Sequence, residues 1–126
     1  MNIYQERLID HYRNPRNRGT LPQADFATGQ YNPSCGDSIA LQANVSNGVV
    51  AQIMFEGSGC VISQASASLL TEYTLGKTLE ELLAFDTDAF LKLLGISVGP
   101  TRLKCALLSL HALHKGIQDY MQKSAS

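Results

Sequence analysis

SIALQANVSNGVVAQIMFEGSGC, residues 38–60, reads as two strands joined by a tight turn and leading into a helix. Ile39, Leu41, Ala43 and Val45 recur at every second position, the period of a strand with one buried face. Val49–Glu56 is a second β-rich run. Between them Asn47-Gly48 tolerates the positive φ that a two-residue hairpin turn demands, so the two runs form an antiparallel hairpin. After Gly57-Ser58-Gly59-Cys60 the period turns helical. Ile62, Ala65, Leu69 and Tyr73 share a face, and Gly76 stands where a helix ends on a left-handed residue.

Working outward, residues 19–37 are rich in Gly, Pro and Asn and read as loop, with one short strand around Phe26–Tyr31. Upstream, Tyr4, Leu8, Ile9 and Tyr12 have helical spacing that Pro15 stops at or before Asn14. Arg13, Arg16 and Arg18 form a basic collar, a solvated surface or a docking patch. Downstream, Thr78 and Glu81 make a capping box, Asp86 caps a short helix that stops at Gly95, and Pro100 opens the last helix. That helix carries the apolar stripe Leu103, Leu107, Leu110, Ile117 and Met121, and the tail from Lys123 is expected to fray. No repeat or linker divides residues 1–126, so the fold class is α+β: one domain with a small antiparallel sheet packed against helices.

At 126 residues the chain is long enough for one hydrophobic core. A 44% apolar, 17% charged composition with net charge −1 excludes a disordered chain and a general polyanion binder, so no nucleic-acid partner is expected. No stretch approaches ~18 consecutive apolar residues, so no membrane span is expected. Three cysteines and no signal peptide point to a reducing cytoplasmic setting in which thiols stay available.

The cysteines lie 25 and 45 positions apart without a CxxC pair, so spacing alone is a weak metal signal. Their surroundings say more. Cys35 sits in the turn-forming Asn32-Pro33-Ser34-Cys35-Gly36-Asp37, where thiol and carboxylate can aim at one point. A carboxylate beside a thiol raises the thiol pKa, a conflict that a bound cation removes. Cys60 follows two glycines and opens a helix, where the helix N-terminus favours thiolate. Cys105 lies roughly 160° from Leu103 on a helical wheel, on a face with the small residues Ser109, Ala112 and Gly116. His114 falls on the opposite side, and His11 and His111 have no ligand spacing, so all three read as structural. Without a histidine to activate Cys105, a thiol hydrolase is the weakest reading. Three thiols and one carboxylate make a soft site for zinc or iron–sulfur species, and the single oxygen ligand keeps it open to exchange.

Four segments resemble the iron–sulfur cluster scaffold family comprising IscU, SufU and the N-terminal domain of NifU. They are Asp10-His11-Tyr12-Arg13-Asn14-Pro15-Arg16-Asn17, Asn32–Asp37, Gly57–Ser66 and Arg102-Leu103-Lys104-Cys105-Ala106, and the resemblance runs from about Tyr4 to Tyr120. It implies a three-stranded sheet and a site of Cys35, Asp37, Cys60 and Cys105. It further implies persulfide sulfur from a cysteine desulfurase, a transient [2Fe–2S] cluster, Zn²⁺ or Fe²⁺ in the same site, and delivery to cluster acceptor proteins. Cys105 is the expected first persulfide acceptor. The chain is intermediate between IscU and SufU. Lys104 stands where IscU proteins carry His, as in SufU, while the 45-position interval leaves no room for the SufU insertion. Val98-Gly99-Pro100-Thr101-Arg102 replaces the Leu-Pro-Pro-Val-Lys segment, which leaves engagement of an Hsp70-type chaperone in doubt. A cluster scaffold is the leading expectation and a zinc-dependent sulfurtransferase the alternative.

Overall fold

The computed structural model describes residues 2–125. Helix α1 (Ile3–Arg13) leads into a loop, three strands follow as β1 (Phe26–Asn32), β2 (Asp37–Ser46) and β3 (Val49–Ser58), and four helices complete the chain. These are α2 (Val61–Thr74), α3 (Leu79–Ala84), α4 (Thr87–Leu94) and α5 (Pro100–Ala125). Of the tail expected to fray, Ser126 lies outside the described residues, and α5 is helical to Ala125.

The sheet is antiparallel in the order β1-β2-β3. Asn47 and Gly48 both take left-handed φ at the β2–β3 turn, as the hairpin reading requires. At the opposite end, Asn32 pairs with Asp37 and Ser38 pairs with Ser58. That register sets the β1–β2 turn beside the start of α2, so residues distant in sequence meet at one edge of the sheet.

Ile39, Leu41, Ala43, Ile53 and Phe55 fill the inner face, and α2 and α5 cover it. Burial of each large aliphatic side chain contributes about 1.5–3 kcal/mol. Helix α5 meets β1, β2 and α2, and its small residues allow close approach: a Cβ at Gly116 would lie 2.6 Å from the Phe26 ring. Where α2, α3 and α4 converge, Tyr73 stacks on Phe85, and Phe85 meets Phe90 edge to face. The loop after α1 shields the open edge of β3. Phe55 donates its N–H to the Asn17 carbonyl and accepts from the Gly19 N–H, which removes free strand groups from that edge.

Both capping boxes anticipated or implied by local chemistry form. Thr78 accepts from the Glu81 N–H at 3.1 Å. At α1, Asn2 accepts from the Gln5 N–H at 2.8 Å, a cap the sequence reading did not identify. Arg16 of the basic collar is engaged within the fold by Asp10 and Glu72. No described helix is long and apolar enough to cross a membrane.

Candidate metal centre

Each member of the site is placed by a different local device. The Asn32 side chain accepts from the Ser34 N–H at 3.1 Å, and the Asn32 carbonyl accepts from the Gly36 N–H at 2.8 Å. This closed turn leaves Cys35 exposed and starts β2 at Asp37, whose side chain is fully buried. Cys60 is the N-cap of α2 and its thiol makes no capping bond. Its N–H instead donates to Asp37 Oδ1 at 2.8 Å, so the positive end of the helix faces the carboxylate. Cys105 lies one turn into α5, with its Sγ 3.9 Å from the Thr101 carbonyl.

These elements bring the groups together. Cys35 Sγ donates to Asp37 Oδ2 at 3.0 Å and lies 3.1 Å from Cys105 Sγ. Ligand atoms of Cys35, Asp37 and Cys105 all fall within 4.8 Å of one another. Cys60 joins through Asp37, its Sγ donating to Oδ2 at 3.4 Å. Gly59 closes the site from behind: at its φ of 135° an added Cβ would overlap Asp37 Oδ1 and lie 2.6 Å from Asp37 Cγ.

Burial pushes the Asp37 pKa up, but hydrogen bonds from the Cys105 and Cys35 thiols and from the Cys60 N–H and thiol outweigh it. The carboxyl is therefore held below its ordinary value and stays ionised. Burial raises the Cys105 pKa strongly, and its contacts with Asp37, Cys35 and Cys60 add to the effect. In the absence of a cation the site is one carboxylate solvated by thiol protons. The donor atoms of Cys35, Asp37 and Cys105 fit a thiophilic ion: ligands at ~2.0–2.3 Å around one centre stand roughly 3.3–3.8 Å apart, within the 4.8 Å span of these three, a group that does not include Cys60.

The small-residue face carrying Cys105 is closely packed: Ser109 and Ala112 are buried, and Cys105 is only 3% exposed. The wheel separated Cys105 from the leucine stripe correctly, but α5 packs against the sheet on one side and α2 on the other. Cys35 is the exposed thiol and Cys60 is half-buried. Beside Cys35 lies a hollow of 250 Å³ lined by Asn32, Ser34, Pro100, Thr101 and Lys104. The histidines stay out of the cluster. His11 is buried against Ser68 Oγ at 2.7 Å, and His114 Nε2 lies 3.0 Å from the Leu82 carbonyl. The contributions of Gly59 and of the Cys60 N–H left no signal beyond the glycine preceding a helix start.

A three-stranded sheet backed by helices, with thiols and a carboxylate converging at one edge, presents a donor set of the kind that suits a thiophilic ion. The chain belongs to the NifU-like N-terminal domain family, whose model matches residues 3–126. It is 37% identical to the zinc-dependent sulfurtransferase SufU of Bacillus subtilis (strain 168), over 91% of this chain and 89% of that protein. It is 39% identical to the iron–sulfur cluster assembly scaffold protein IscU of Haemophilus influenzae, over 95% of this chain and 97% of the relative. In fold it matches a nitrogen-fixing NifU-like protein (N-terminal) from Brucella abortus, with a TM-score of 0.80, 23% identity and 96% of each chain covered.

Proposed function

We propose that this chain is an iron–sulfur cluster assembly scaffold. It accepts sulfane sulfur from a cysteine desulfurase, receives iron, holds a [2Fe–2S] cluster as cargo and passes it to acceptor proteins. The observation that supports this most is the meeting of Cys35, Asp37 and Cys105 within bonding reach of one centre, with Cys60 tied in through Asp37. Thiolates prefer iron–sulfur species and zinc, while the single carboxylate is the weakest of the four donors for them and the first to release. Sulfur delivered by a protein partner meets Cys35 first, in place of the Cys105 that the resemblance implies, because Cys35 is exposed and Cys105 is buried. Cys60 and Cys105 complete the grip on the cargo from the starts of two helices.

A second reading has its own support. In it the same four residues hold Zn²⁺, which keeps the thiols ionised at neutral pH until a desulfurase displaces one of them. Lys104 favours this reading, because an ammonium cannot ligate where an imidazole could, and SufU is among the relatives.

Anaerobic purification, metal analysis and visible absorption, with and without desulfurase, cysteine and ferrous iron, separate the two. Growth of sulfide-to-iron charge-transfer bands supports the scaffold. Zinc that stays bound while desulfurase turnover rises sharply refutes it in favour of sulfur transfer.

A further inference from the structure

The 3.1 Å approach of two sulfurs is unequal in its surroundings: Cys35 is exposed at the tip of a turn, and Cys105 is buried behind it. A disulfide requires ~2.05 Å, so roughly 1 Å of closure would join the pair. Cys60 Sγ contacts both Asp37 Oδ2 and Cys105, but it is half-buried at a helix start, where Cys35 is exposed. We infer that Cys105 is a resolving thiol, which converts sulfane sulfur carried on Cys35 into sulfide by closing a Cys35–Cys105 disulfide. The inference rests on the proposed acceptance of sulfane sulfur and adds what happens to that sulfur next.

The step balances without an outside reductant. Cys105 Sγ attacks Cys35 Sγ, and a new Sγ–Sγ bond forms as the bond from Cys35 Sγ to the terminal sulfur breaks. The terminal sulfur leaves as H₂S with its own hydrogen and the proton from Cys105. That sulfur gains two electrons, and the two cysteines lose two in becoming a disulfide. Burial shields Cys105 from sulfur donors in solution, and its 3.1 Å approach to Cys35 Sγ makes sulfur seated on Cys35 the sulfur within its reach. The disulfide must then be reopened, so the class of reaction that follows is thiol–disulfide reduction by a dithiol. Sulfide, rather than sulfane sulfur, is the oxidation level an iron–sulfur cluster needs, so the step would supply cargo in usable form.

The test uses the full chain, reduced and stripped of metal, treated briefly with inorganic polysulfide and freed of excess reagent. Released sulfide is trapped with a bimane reagent, and unreduced peptides are mapped by mass. The wild type is expected to release one sulfide per disulfide formed, with the linked peptides containing Cys35 and Cys105. Cys105→Ser is expected to retain the extra sulfur on Cys35, with sulfide release falling to background and helical circular dichroism unchanged. If that variant does not fold, the wild-type peptide map decides alone. Sulfur that stays on Cys35 in the wild type, or moves to Cys105 without sulfide release, overturns the inference. A disulfide involving Cys60 also overturns it. No sulfur adduct in a folded Cys105→Ser variant removes sulfane acceptance itself, and the resolving role with it.

Discussion

Gly59→Ala against Gly36→Ala is a comparison in which one methyl group is added at two left-handed positions flanking the same carboxylate. Gly36 has φ 74° and nothing within 4 Å of an added Cβ, so its substitution costs only backbone strain, about 1–2 kcal/mol. Gly59 has φ 135° and bears the same kind of strain, but its Cβ would also overlap Asp37 Oδ1 and lie 2.9 Å from Asp37 Cα. Asp37 begins β2 and cannot retreat without leaving its pairing with Asn32. Overpacking adds about 1–3 kcal/mol. Displacement of the carboxylate sacrifices its charged hydrogen bond from the Cys60 N–H, for about 1.5–3 kcal/mol more. The total for Gly59→Ala is about 4 kcal/mol or higher. At this chain length each kcal/mol moves the midpoint by about 3–6 °C, so the Gly59 variant should melt at least about 10 °C below wild type and the Gly36 variant only several degrees below. Thermal unfolding followed by circular dichroism on metal-free protein reads this directly. Zinc competition against a chromophoric chelator reads the site, where misplacing a supporting group costs about 10–100-fold in affinity. Equal melting and equal zinc affinity for the two variants would refute the claim that Gly59 exists to admit Asp37.

Three further outcomes follow from other parts of the molecule. Burial first, then the charge of Arg16, lowers the His11 pKa, with Glu72 and Asp10 opposing; Ser68 hydrogen-bonds the ring. A neutral imidazole is thus the folded form, and its contribution is complete above the unfolded value near 6.5 and lost as pH falls through the lower folded value. Urea unfolding at pH 7.5 and 5.5 (about one unit to either side) should show a fall in stability on acidification that His11→Gln reduces; an identical fall in both proteins would remove His11 as the cause. Gly116→Ala should lower the unfolding free energy by up to about 2 kcal/mol, read as a lower urea midpoint at unchanged m-value, because overpacking against Phe26 and Thr28 outweighs the ~1 kcal/mol gained in helix propensity; an unchanged or higher midpoint would contradict the close packing. Zinc at a hundredfold excess over its Kd should stabilise the chain by about 2.7 kcal/mol, and a chelator should reverse the gain; a midpoint independent of zinc concentration would contradict binding to the folded state.

The parts of this fold legible in the sequence were those fixed by neighbours. Asn47-Gly48 forces a hairpin through local φ, Thr78 with Glu81 caps a helix within one turn, and Pro15 and Gly95 stop helices where they stand. The thiols were legible in the same way, because a turn former or helix start beside a cysteine is a local signal. What stayed hidden depends on distant partners. The pairing of Asn17 and Gly19 with Phe55 crosses almost forty positions, and nothing in that polar loop announces a strand edge to cover. The burial of Cys105 stayed hidden for a related reason. A helical wheel distinguishes large residues from small ones, but a small-residue face suits solvent and a closely packed sheet equally well.

That hidden packing changes the chemistry as well as the geometry. Had all three thiols been equally exposed, nothing in the protein would rank them, and sulfur would load wherever it collided. The fold ranks them by construction: Cys35 outermost on a two-strand turn, Cys60 half-buried at a helix start, Cys105 sealed between sheet and helix. All three direct hydrogen bonds to Asp37, whose buried charge would otherwise be costly to desolvate. Replacing those thiol protons with a metal ion or cluster exchanges one means of satisfying the carboxylate for another. The buried anion therefore does not have to be created when cargo arrives, and it is not left unpaired when cargo departs. A site intended for permanent retention gains little from this arrangement, because four soft ligands hold zinc more firmly. A site that repeatedly empties, as the proposed scaffold does, gains a stable resting state, and in that reading Asp37 provides it.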